Sequence, residues 1–162
     1  MTIQQLAYVG LGSNLSNPQA RIAQAIGAIG KIQNTAVVKV SSMYLSKPMG
    51  PQDQNDYINA VVALHTSLSA LALLDALQAI ESQAGRVRKA NRWGARVLDC
   101  DILLYGDHTI NNSRLTVPHY GMKLREFVLF PLAEISQNLT LPDGSSVDEL
   151  TNQIDCNGIV KL

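Results

Sequence analysis

The chain has little of several features that would assign it to a particular class of protein. Among its 162 residues there are 2 cysteines. Cys100 and Cys156 lie far apart without Cys/His ligand spacing, which argues against a structural zinc site or a disulfide framework. The formal net charge is zero, so no broad nucleic-acid or membrane-binding surface is indicated. The first residues do not show a basic segment followed by a long apolar segment, the pattern of a signal peptide. No apolar run reaches membrane-spanning length. We therefore expect a cytoplasmic protein that binds neither nucleic acid nor membrane.

Apolar residues are present in the amount that one compact domain needs. They make up 46% of the chain, which is enough to bury a core. Since no linker, internal repeat or low-complexity tract divides the sequence, residues 1–162 are predicted to form a single domain. We expect it to be a monomer.

The spacing of the apolar residues predicts the element order β-α-β-β-α-β. Strands are predicted over residues 6–11, 35–44, 57–66 and 97–105, and helices after the capping residues Asn17 and Ser69. This order is typical of the split-βαβ pattern, in which two helices cover an antiparallel sheet. The remainder is predicted to hold a hairpin near 106–111, a helical segment near 120–135 and a short helix at SVDELTNQI.

Two aspartates interrupt the apolar strand VLDCDILLY. Alternate residues of a strand share a face, so the two predicted faces are Leu98, Cys100, Ile102 and Leu104 on one side and Val97, Asp99, Asp101, Leu103 and Tyr105 on the other. Two carboxylates on one half-buried face repel each other unless water, a basic partner or a cation accompanies them. Three interpretations are open: a structural pair neutralised by arginines, a Mg²⁺ site, or a general acid–base pair.

Positive charge is concentrated around this strand. Of 13 Lys and Arg residues, five lie between 86 and 96 and three between 114 and 125. One such cluster alone would be a solvated basic loop. Arginines together with a metal are what a polyphosphate requires, because each neutralises oxygens that gain charge during transfer. The clustering therefore favours the Mg²⁺ interpretation, and His119 could then donate a hydrogen bond to phosphate.

Few aromatic residues are present, and two of them lie beside polar residues. Tyr57 and Phe127 are core residues in the simplest interpretation. In the alternative, their rings sandwich a planar heterocycle whose edge Asn59 recognises. The segment GLGSNL lacks the third glycine of a dinucleotide fingerprint and the Gly-Lys-Ser/Thr of a P-loop. It is predicted to be a strand end, where Gly12 permits the close approach of a flat ligand.

Four blocks of sequence, in order, resemble one known family. They are GLGSNL, GPQDQNDYINAVVAL, GRVRKANRWGARVLDCDILLYG and RLTVPHYGMKLREFVLFPL. They are similar to 6-hydroxymethyl-7,8-dihydropterin pyrophosphokinase, a family of folate biosynthesis. The resemblance implies a ferredoxin-like α+β core with an additional C-terminal hairpin and helices. It also implies a reaction in which the pterin's hydroxymethyl oxygen attacks the β-phosphorus of ATP and AMP leaves, with two Mg²⁺ ions held by Asp99 and Asp101.

The same resemblance implies roles for individual residues. The implied ATP-site residues are Gln78, Glu81, Arg88, Trp93, Arg96, Ile102, Arg114, Thr116, His119, Tyr120 and Arg125. The implied pterin-site residues are Gly12, Ser46, Met49, Tyr57, Asn59, Trp93 and Phe127, with Ser46 and Met49 acting through their backbones. Arg86 and Arg96, which are implied to be catalytic with the two aspartates, lie on the loop that closes over the substrates in this family. No general base is assigned.

Two positions depart from the family pattern. Cys100 stands where an aliphatic residue is usual, and because it faces the apolar side we expect a packing change rather than lost metal binding. Lys47 stands where proline or an acidic residue is common, which leaves the loop on the pterin side less defined.

Two other functions are alternatives. An RNA-binding split-βαβ module would need exposed aromatic residues on its central strands and a basic face. Another Mg²⁺-dependent nucleotidyl- or glycosyltransferase with an Asp-x-Asp pair would not need the DYINA and REF segments. Formation of AMP from ATP only when the pterin alcohol is present would distinguish pyrophosphoryl transfer from both.

Overall fold

The computed structural model describes residues 3–14, 17–47, 56–84 and 98–162. Its strands are β1 (Gln5–Ser13), β2 (Thr35–Val40), β3 (Tyr44–Ser46), β4 (Tyr57–Thr66), β5 (Asp99–Tyr105), β6 (Ile110–Asn111), β7 (Thr116–Val117) and β8 (Val160–Lys161). Its helices are α1 (Pro18–Ile29), α2 (Ala70–Gln83), α3 (Glu126–Ile135) and α4 (Val147–Gln153), with a 3-10 turn at Met122–Leu124. The predicted α+β class is confirmed.

The main sheet is antiparallel throughout, and β1 is one of its inner strands. The strand order is β5-β1-β4-β3-β8, and β2 also pairs with β4. β1 therefore has β4 on one side and β5 on the other. Strands β6 and β7 form a separate hairpin.

Each face of the sheet is covered by helices. On one face, Ile22 of α1 and Leu73 of α2 belong to the same apolar cluster as Val62 of β4. On the other face, Leu132 of α3 packs in a cluster with Val61, the next residue of β4. The sheet thus lies between two helical layers, and each layer buries one set of alternate strand residues. Within the described ranges, every helix is too short or too polar to cross a lipid bilayer.

The predicted N-cap of α2 is confirmed, whereas that of α1 is only partly right. The Ser69 hydroxyl accepts a hydrogen bond of 3.1 Å from the backbone N–H of Ala72, as predicted for an N-cap. Helix α1 does begin with Pro18 after Asn17, but Asn17 has φ 55° and its side chain makes no cap hydrogen bond. Its left-handed backbone, which asparagine tolerates better than most residues, explains why it stands there.

The predicted alternation along β5 is right at its start and wrong at its end. Asp99 and Asp101 share a face. Beyond Ile102 the register against β1 shifts by one residue. Leu104 consequently belongs to the cluster under α3, and Tyr105 to the cluster under α1 and α2. The sequence pattern had predicted each of them on the other face. The prediction fails here because a bulge reverses the alternation of side chains beyond it.

Two further boundaries differ from the sequence prediction. The strand predicted over 35–44 is divided, since β2 ends before residues 41–43 and β3 begins after them. The hairpin predicted near 106–111 lies further along the chain, between β6 and β7. There the Asn112 side-chain oxygen accepts two backbone N–H groups at 2.9 Å and closes the turn. The helical segment near 120–135 and the short helix at SVDELTNQI are confirmed.

Candidate active site

A cavity of about 590 Å³ opens on the sheet face that carries α3. Its lining comes from β1, β3, β4 and β5 below and from the segment that leads into α3 above. The predicted site residues that line it are Gly12, Ser46, Tyr57, Asn59, Asp99, Asp101, His119, Tyr120, Arg125 and Phe127. Residues that are distant in sequence, from all four of the blocks, therefore share one cavity.

The floor of the cavity is built on two glycines of the central strand. Gly12 is the cross-strand partner of both Asn59 on β4 and Asp99 on β5, and Gly10 is the partner of Asp101. Cross-strand partners have their side chains on the same face, so the amide and the two carboxylates flank a strip that has no side chains. A Cβ at Gly12 would lie 3.3 Å from Asn59 Oδ1. The glycine thus leaves the floor open beside that amide.

The Asn59 amide is buried and held by a neighbour. Its residue is 5% exposed, and Nδ2 donates a hydrogen bond of 2.6 Å to the Ser46 hydroxyl. Ser46 lies on β3, the strand beside β4, and is also 5% exposed. An amide held in this way can offer a donor and an acceptor in defined directions to the edge of a heterocycle.

Two aromatic rings approach the cavity from different layers. Tyr57 opens β4, and Phe127 lies in the first turn of α3, which covers that part of the sheet. The Arg125 guanidinium carbon is 5.8 Å from the centre of the Phe127 ring and 5.5 Å from that of Tyr120. Both rings therefore help to hold this guanidinium at the cavity wall. The sheet and the helix therefore supply one ring each.

His119 is a neutral hydrogen-bonding group at the cavity wall. Burial and, secondarily, the positive charge of Arg125 lower the pKa of His119 from 6.5 to about 4. Its Nδ1 accepts a hydrogen bond of 3.2 Å from the backbone N–H of Gly121, so in the neutral imidazole the proton is on Nε2. The Tyr120 ring stacks on the imidazole at 4.7 Å between centres. At neutral pH His119 can therefore donate one hydrogen bond without adding charge.

The two aspartates are the candidate metal ligands of the cavity. Asp99 is half-buried and Asp101 is exposed, and both line the cavity. In the described part of the chain, no group of three or more His, Cys, Asp or Glu residues is placed to hold a metal ion. Mg²⁺ takes one or two carboxylates and completes its shell with phosphate oxygens and water. The pair fits Mg²⁺ that arrives with a phosphate ligand.

The other described residues that were predicted for an ATP site lie outside the cavity, on and around the edge strand β5. They are Gln78, Glu81, Ile102, Arg114 and Thr116. Ile102 is 2% exposed and packs in the apolar cluster under α1 and α2. The side chain therefore points away from the cavity, as the apolar strand pattern predicts.

Helix α2 brings some of these residues together. The Arg114 Nη2 atom lies 2.5 Å from Asp75 Oδ1 and 3.4 Å from Gln78 Oε1. Glu81 is 4% exposed, and its Oε2 accepts a hydrogen bond of 2.7 Å from the backbone N–H of Cys100. The Glu81 carboxylate thus ties α2 to β5 between the two aspartates.

The structure leaves some predicted residues undescribed and adds others. Met49, Arg86, Arg88, Trp93 and Arg96 lie outside the described residues. Gly10, Lys47 and Leu103 line the cavity although none was predicted in the site. Gly10 had a signal, because it stands two residues before Gly12 and so shares its face. Lys47 directly follows Ser46, in the loop that the family resemblance placed on the pterin side. Cys100 is 4% exposed in the apolar cluster, as predicted.

Comparison with known proteins identifies relatives over nearly the whole chain. Residues 8–137 match the family model described as 7,8-dihydro-6-hydroxymethylpterin-pyrophosphokinase. The chain is 53% identical over 156 residues to a 2-amino-4-hydroxy-6-hydroxymethyldihydropteridine pyrophosphokinase of Haemophilus influenzae, covering 96% of this chain and 97% of the relative. It is 49% identical over 158 residues to the protein of the same name from Pseudomonas aeruginosa, covering 98% and 97%.

Solved structures show the same fold at low sequence identity. The crystal structure of wild-type Plasmodium falciparum HPPK-DHPS with pteroate matches 94% of this chain with a TM-score of 0.73 and 13% identity. The chain spans 43% of the length of that solved chain. At this identity the likeness supports the fold alone.

Proposed function

Because the chain belongs to the 7,8-dihydro-6-hydroxymethylpterin-pyrophosphokinase family, we propose that it transfers pyrophosphate from ATP to the hydroxymethyl group of 6-hydroxymethyl-7,8-dihydropterin. AMP is the second product, and the reaction belongs to folate biosynthesis. ATP is a co-substrate, and the enzyme is an ATP-dependent pyrophosphokinase.

One observation carries the assignment to this cavity. Gly12 pairs with Asn59 on one side and with Asp99 on the other. A heterocycle recognised by the amide therefore lies next to a triphosphate held at the carboxylates. This adjacency supports the proposal, because an alcohol on a heterocycle bound in this way would be close to a phosphorus atom, as direct transfer requires.

The β4 side of the cavity binds the pterin. The Tyr57 and Phe127 rings sandwich the flat ring system. The Asn59 amide, held by Ser46, pairs with the ring's donor and acceptor edge. The bare backbone of Gly12 lets the ring approach the sheet closely.

The β5 side binds the triphosphate. Asp99 and Asp101 would hold Mg²⁺, two ions by the family resemblance. When bound, Mg²⁺ neutralises phosphate oxygens and orients them for displacement. Arg125 adds positive charge from the opposite wall, and neutral His119 donates a hydrogen bond from Nε2 to a phosphate oxygen.

The remaining nucleotide contacts come from the edge of β5. Gln78 and Arg114, which lie together beside α2, and Thr116 on β7 contact the nucleotide together with Glu81 and the backbone of Ile102. Tyr120 contacts it from the cavity mouth. Arg88 and Trp93 complete this site, and Trp93 also touches the pterin. Arg86 and Arg96 stabilise the transferring group.

The transfer forms one bond and breaks one. The hydroxymethyl oxygen bonds to the β-phosphorus of ATP, and the bond from that phosphorus to the oxygen bridging to the α-phosphate breaks. The alcohol proton is released, and AMP leaves with the bridging oxygen. The negative charge on the phosphate oxygens is stabilised by Mg²⁺ and by the arginines. We therefore assign no general base.

We also propose the finer classification of the fold and the state of the protein. The order β5-β1-β4-β2 supports a ferredoxin-like core, because its four strands follow the split-βαβ arrangement. Two apolar clusters on the two faces of one sheet support a single domain over 1–162. We propose a cytoplasmic monomer, and size-exclusion chromatography with light scattering would test its oligomeric state.

A nucleotide product assay tests the function. Purified protein is incubated with Mg²⁺, ATP and the reduced pterin alcohol, and the nucleotides are resolved by anion-exchange chromatography. We expect AMP in equal amount to pterin pyrophosphate, and no AMP when the pterin is omitted. ADP as the product, or AMP with free pyrophosphate, would contradict pyrophosphoryl transfer.

A further inference from the structure

The short strand β3 begins after a bulge that decides which way its side chains point. β2 ends with Val40 paired to Val62, whereas β3 begins with Tyr44 paired to Asn59. From Val40 to Tyr44 the chain advances four residues, whereas the paired positions on β4 advance only three. One extra residue therefore lies in the segment 41–43. Without it, Tyr44 would face the α1–α2 layer. With it, Tyr44 faces the cavity side.

The bulge is held in part by its own hydroxyl. The backbone N–H of Ser41 donates to the Val61 carbonyl, and the Ser41 hydroxyl accepts from the Val61 N–H, each at 2.9 Å. A side chain thus replaces the backbone acceptor that the bulge removed from the ladder.

Glu134 of α3 holds the other side of the same segment. The Ser42 backbone N–H lies 3.1 Å from both carboxylate oxygens, and the Ser42 hydroxyl donates to Oε2 at 2.8 Å. The Tyr44 hydroxyl donates to Oε1 at 2.7 Å. Lys161 of β8 lies 3.9 Å from Oε2. One carboxylate therefore binds the bulge, the first residue of β3 and its neighbouring strand.

The electrostatic state of these groups agrees with a stable contact. Burial by itself would raise the pKa of Glu134, but the hydrogen bonds from Tyr44 and Ser42 outweigh it and the pKa is lowered. Burial and the adjoining carboxylate raise the pKa of Tyr44. The carboxylate stays charged and the phenol stays protonated, which is the arrangement of a charge-assisted hydrogen bond.

This contact joins the two walls of the cavity. Phe127 and Glu134 are seven residues apart on α3, about two helical turns, and so lie on one side of the helix. Phe127 lines the cavity, and Glu134 anchors β3, whose Ser46 also lines it. Ser46 in turn accepts the hydrogen bond of Asn59.

We propose that Glu134 is a positioning residue for pterin recognition: by holding Ser42 and Tyr44 it fixes β3, and through Ser46 it fixes the orientation of the Asn59 amide. The proposal rests on the assignment of this cavity to the pterin under the proposed function. Glu134 itself touches neither substrate.

The test compares Glu134→Gln and Tyr44→Phe with Glu149→Gln, the same chemical change at an exposed position of α4. Dissociation constants for the reduced pterin, with Mg²⁺ and a non-hydrolysable ATP analogue present, and for the analogue alone are measured by calorimetry. We expect Glu134→Gln to weaken pterin binding about 5- to 20-fold and Tyr44→Phe about 3-fold, since a charged acceptor or one donor is lost. ATP-analogue binding should change less than about 2-fold, and Glu149→Gln should change neither constant.

Two outcomes separate this proposal from the proposed function. If wild-type protein binds the pterin and Asn59→Ala weakens it, while Glu134→Gln lowers only the melting temperature, the positioning role is wrong and the proposed function stands. If wild-type protein does not bind the pterin, the proposed function fails. The double variant Tyr44→Phe/Glu134→Gln should bind pterin no more weakly than Glu134→Gln alone, because both changes remove one contact. If the losses of pterin affinity in the two single variants were additive in the double variant, Tyr44 and Glu134 would not act through one contact.

Discussion

The two sides of the central strand β1 differ in how they present polar groups. Towards β4, Asn59 and Ser46 are each 5% exposed and hydrogen-bonded to each other. Towards β5, Asp101 is exposed, the Arg114 side chain is 45% exposed, and Tyr120 is 80% exposed. The polar groups of the first side are buried and fixed by neighbours, whereas those of the second are more exposed and carry full charges.

This contrast follows from the chemistry of the two proposed substrates. A neutral heterocycle is distinguished by a few donors and acceptors, which discriminate best when they are buried and already oriented. A triphosphate carries several charges and binds together with metal ions. Before it binds, the carboxylates and guanidinium groups of its site must be stabilised without it. Water serves that purpose until the ligand displaces it.

The largest effect is expected on the charged side. Asp101→Ala and Asp99→Ala should each lower kcat by about 1,000-fold or more, because several kcal/mol of charge stabilisation at the phosphates is lost. The measurement is AMP formation across a Mg²⁺ titration. Asp107→Ala, an exposed aspartate in the turn after β5, is the matched control. Near-normal rates in the two site variants would remove the metal assignment.

On the buried side, Asn59→Ala should act on binding rather than on charge. We expect pterin affinity to fall about 10- to 100-fold, the cost of losing a buried amide that pairs with the ligand, with ATP affinity little changed. Titration of each ligand separately measures this. Equal losses for both ligands would show that the two sides are not separate sites.

A smaller effect is expected from adding one methyl group between the two sides. In Gly12→Ala the new Cβ lies 3.3 Å from Asn59 Oδ1, so the amide must shift by a few tenths of an ångström. We expect pterin affinity to fall about 3- to 10-fold. In the control Gly27→Ala on α1, nothing lies within 4 Å of the new Cβ. That variant should gain about 0.5–1 kcal/mol of stability with unchanged binding.

The smallest effect concerns the protonation of His119. Its pKa in the folded protein is about 4 instead of 6.5, so between these values the unfolded chain binds a proton that the folded protein does not. Stability from this group is therefore complete above pH 6.5 and decreases as the pH falls towards 4. Urea unfolding at pH 7.5 and pH 5 should show a larger acid loss for wild type than for His119→Gln. Equal losses would contradict the lowered pKa.

Local sequence patterns predicted much of the fold and the charged part of the site. The Asp99–Asp101 pair, the apolar partners of Cys100 and the cap at Ser69 follow from nearest-neighbour rules, because side-chain faces alternate and helix ends need acceptors. Those rules failed at Leu104 and Tyr105. A bulge depends on how two strands pair, and no local pattern records it.

The buried part of the site required distant residues to meet. Sequence alone could propose Tyr57 and Phe127 as a pair of rings but could not place one on the sheet and the other on the helix above it. Gly10 was missed, and so was the contact of Glu134 with Ser42 and Tyr44, about 90 residues away. Such contacts depend on packing between layers, where many sequences satisfy the same apolar pattern.

By itself, the sequence determined the class of elements, the charged strand and, through four ordered blocks, the family. Only the tertiary structure decided that Gly12 joins Asn59 to Asp99, that β3 is turned towards the cavity and that His119 is neutral. The physical reason is range. Propensity and alternation act between residues a few positions apart, whereas register, burial and desolvation are set by segments that meet only once the chain is packed.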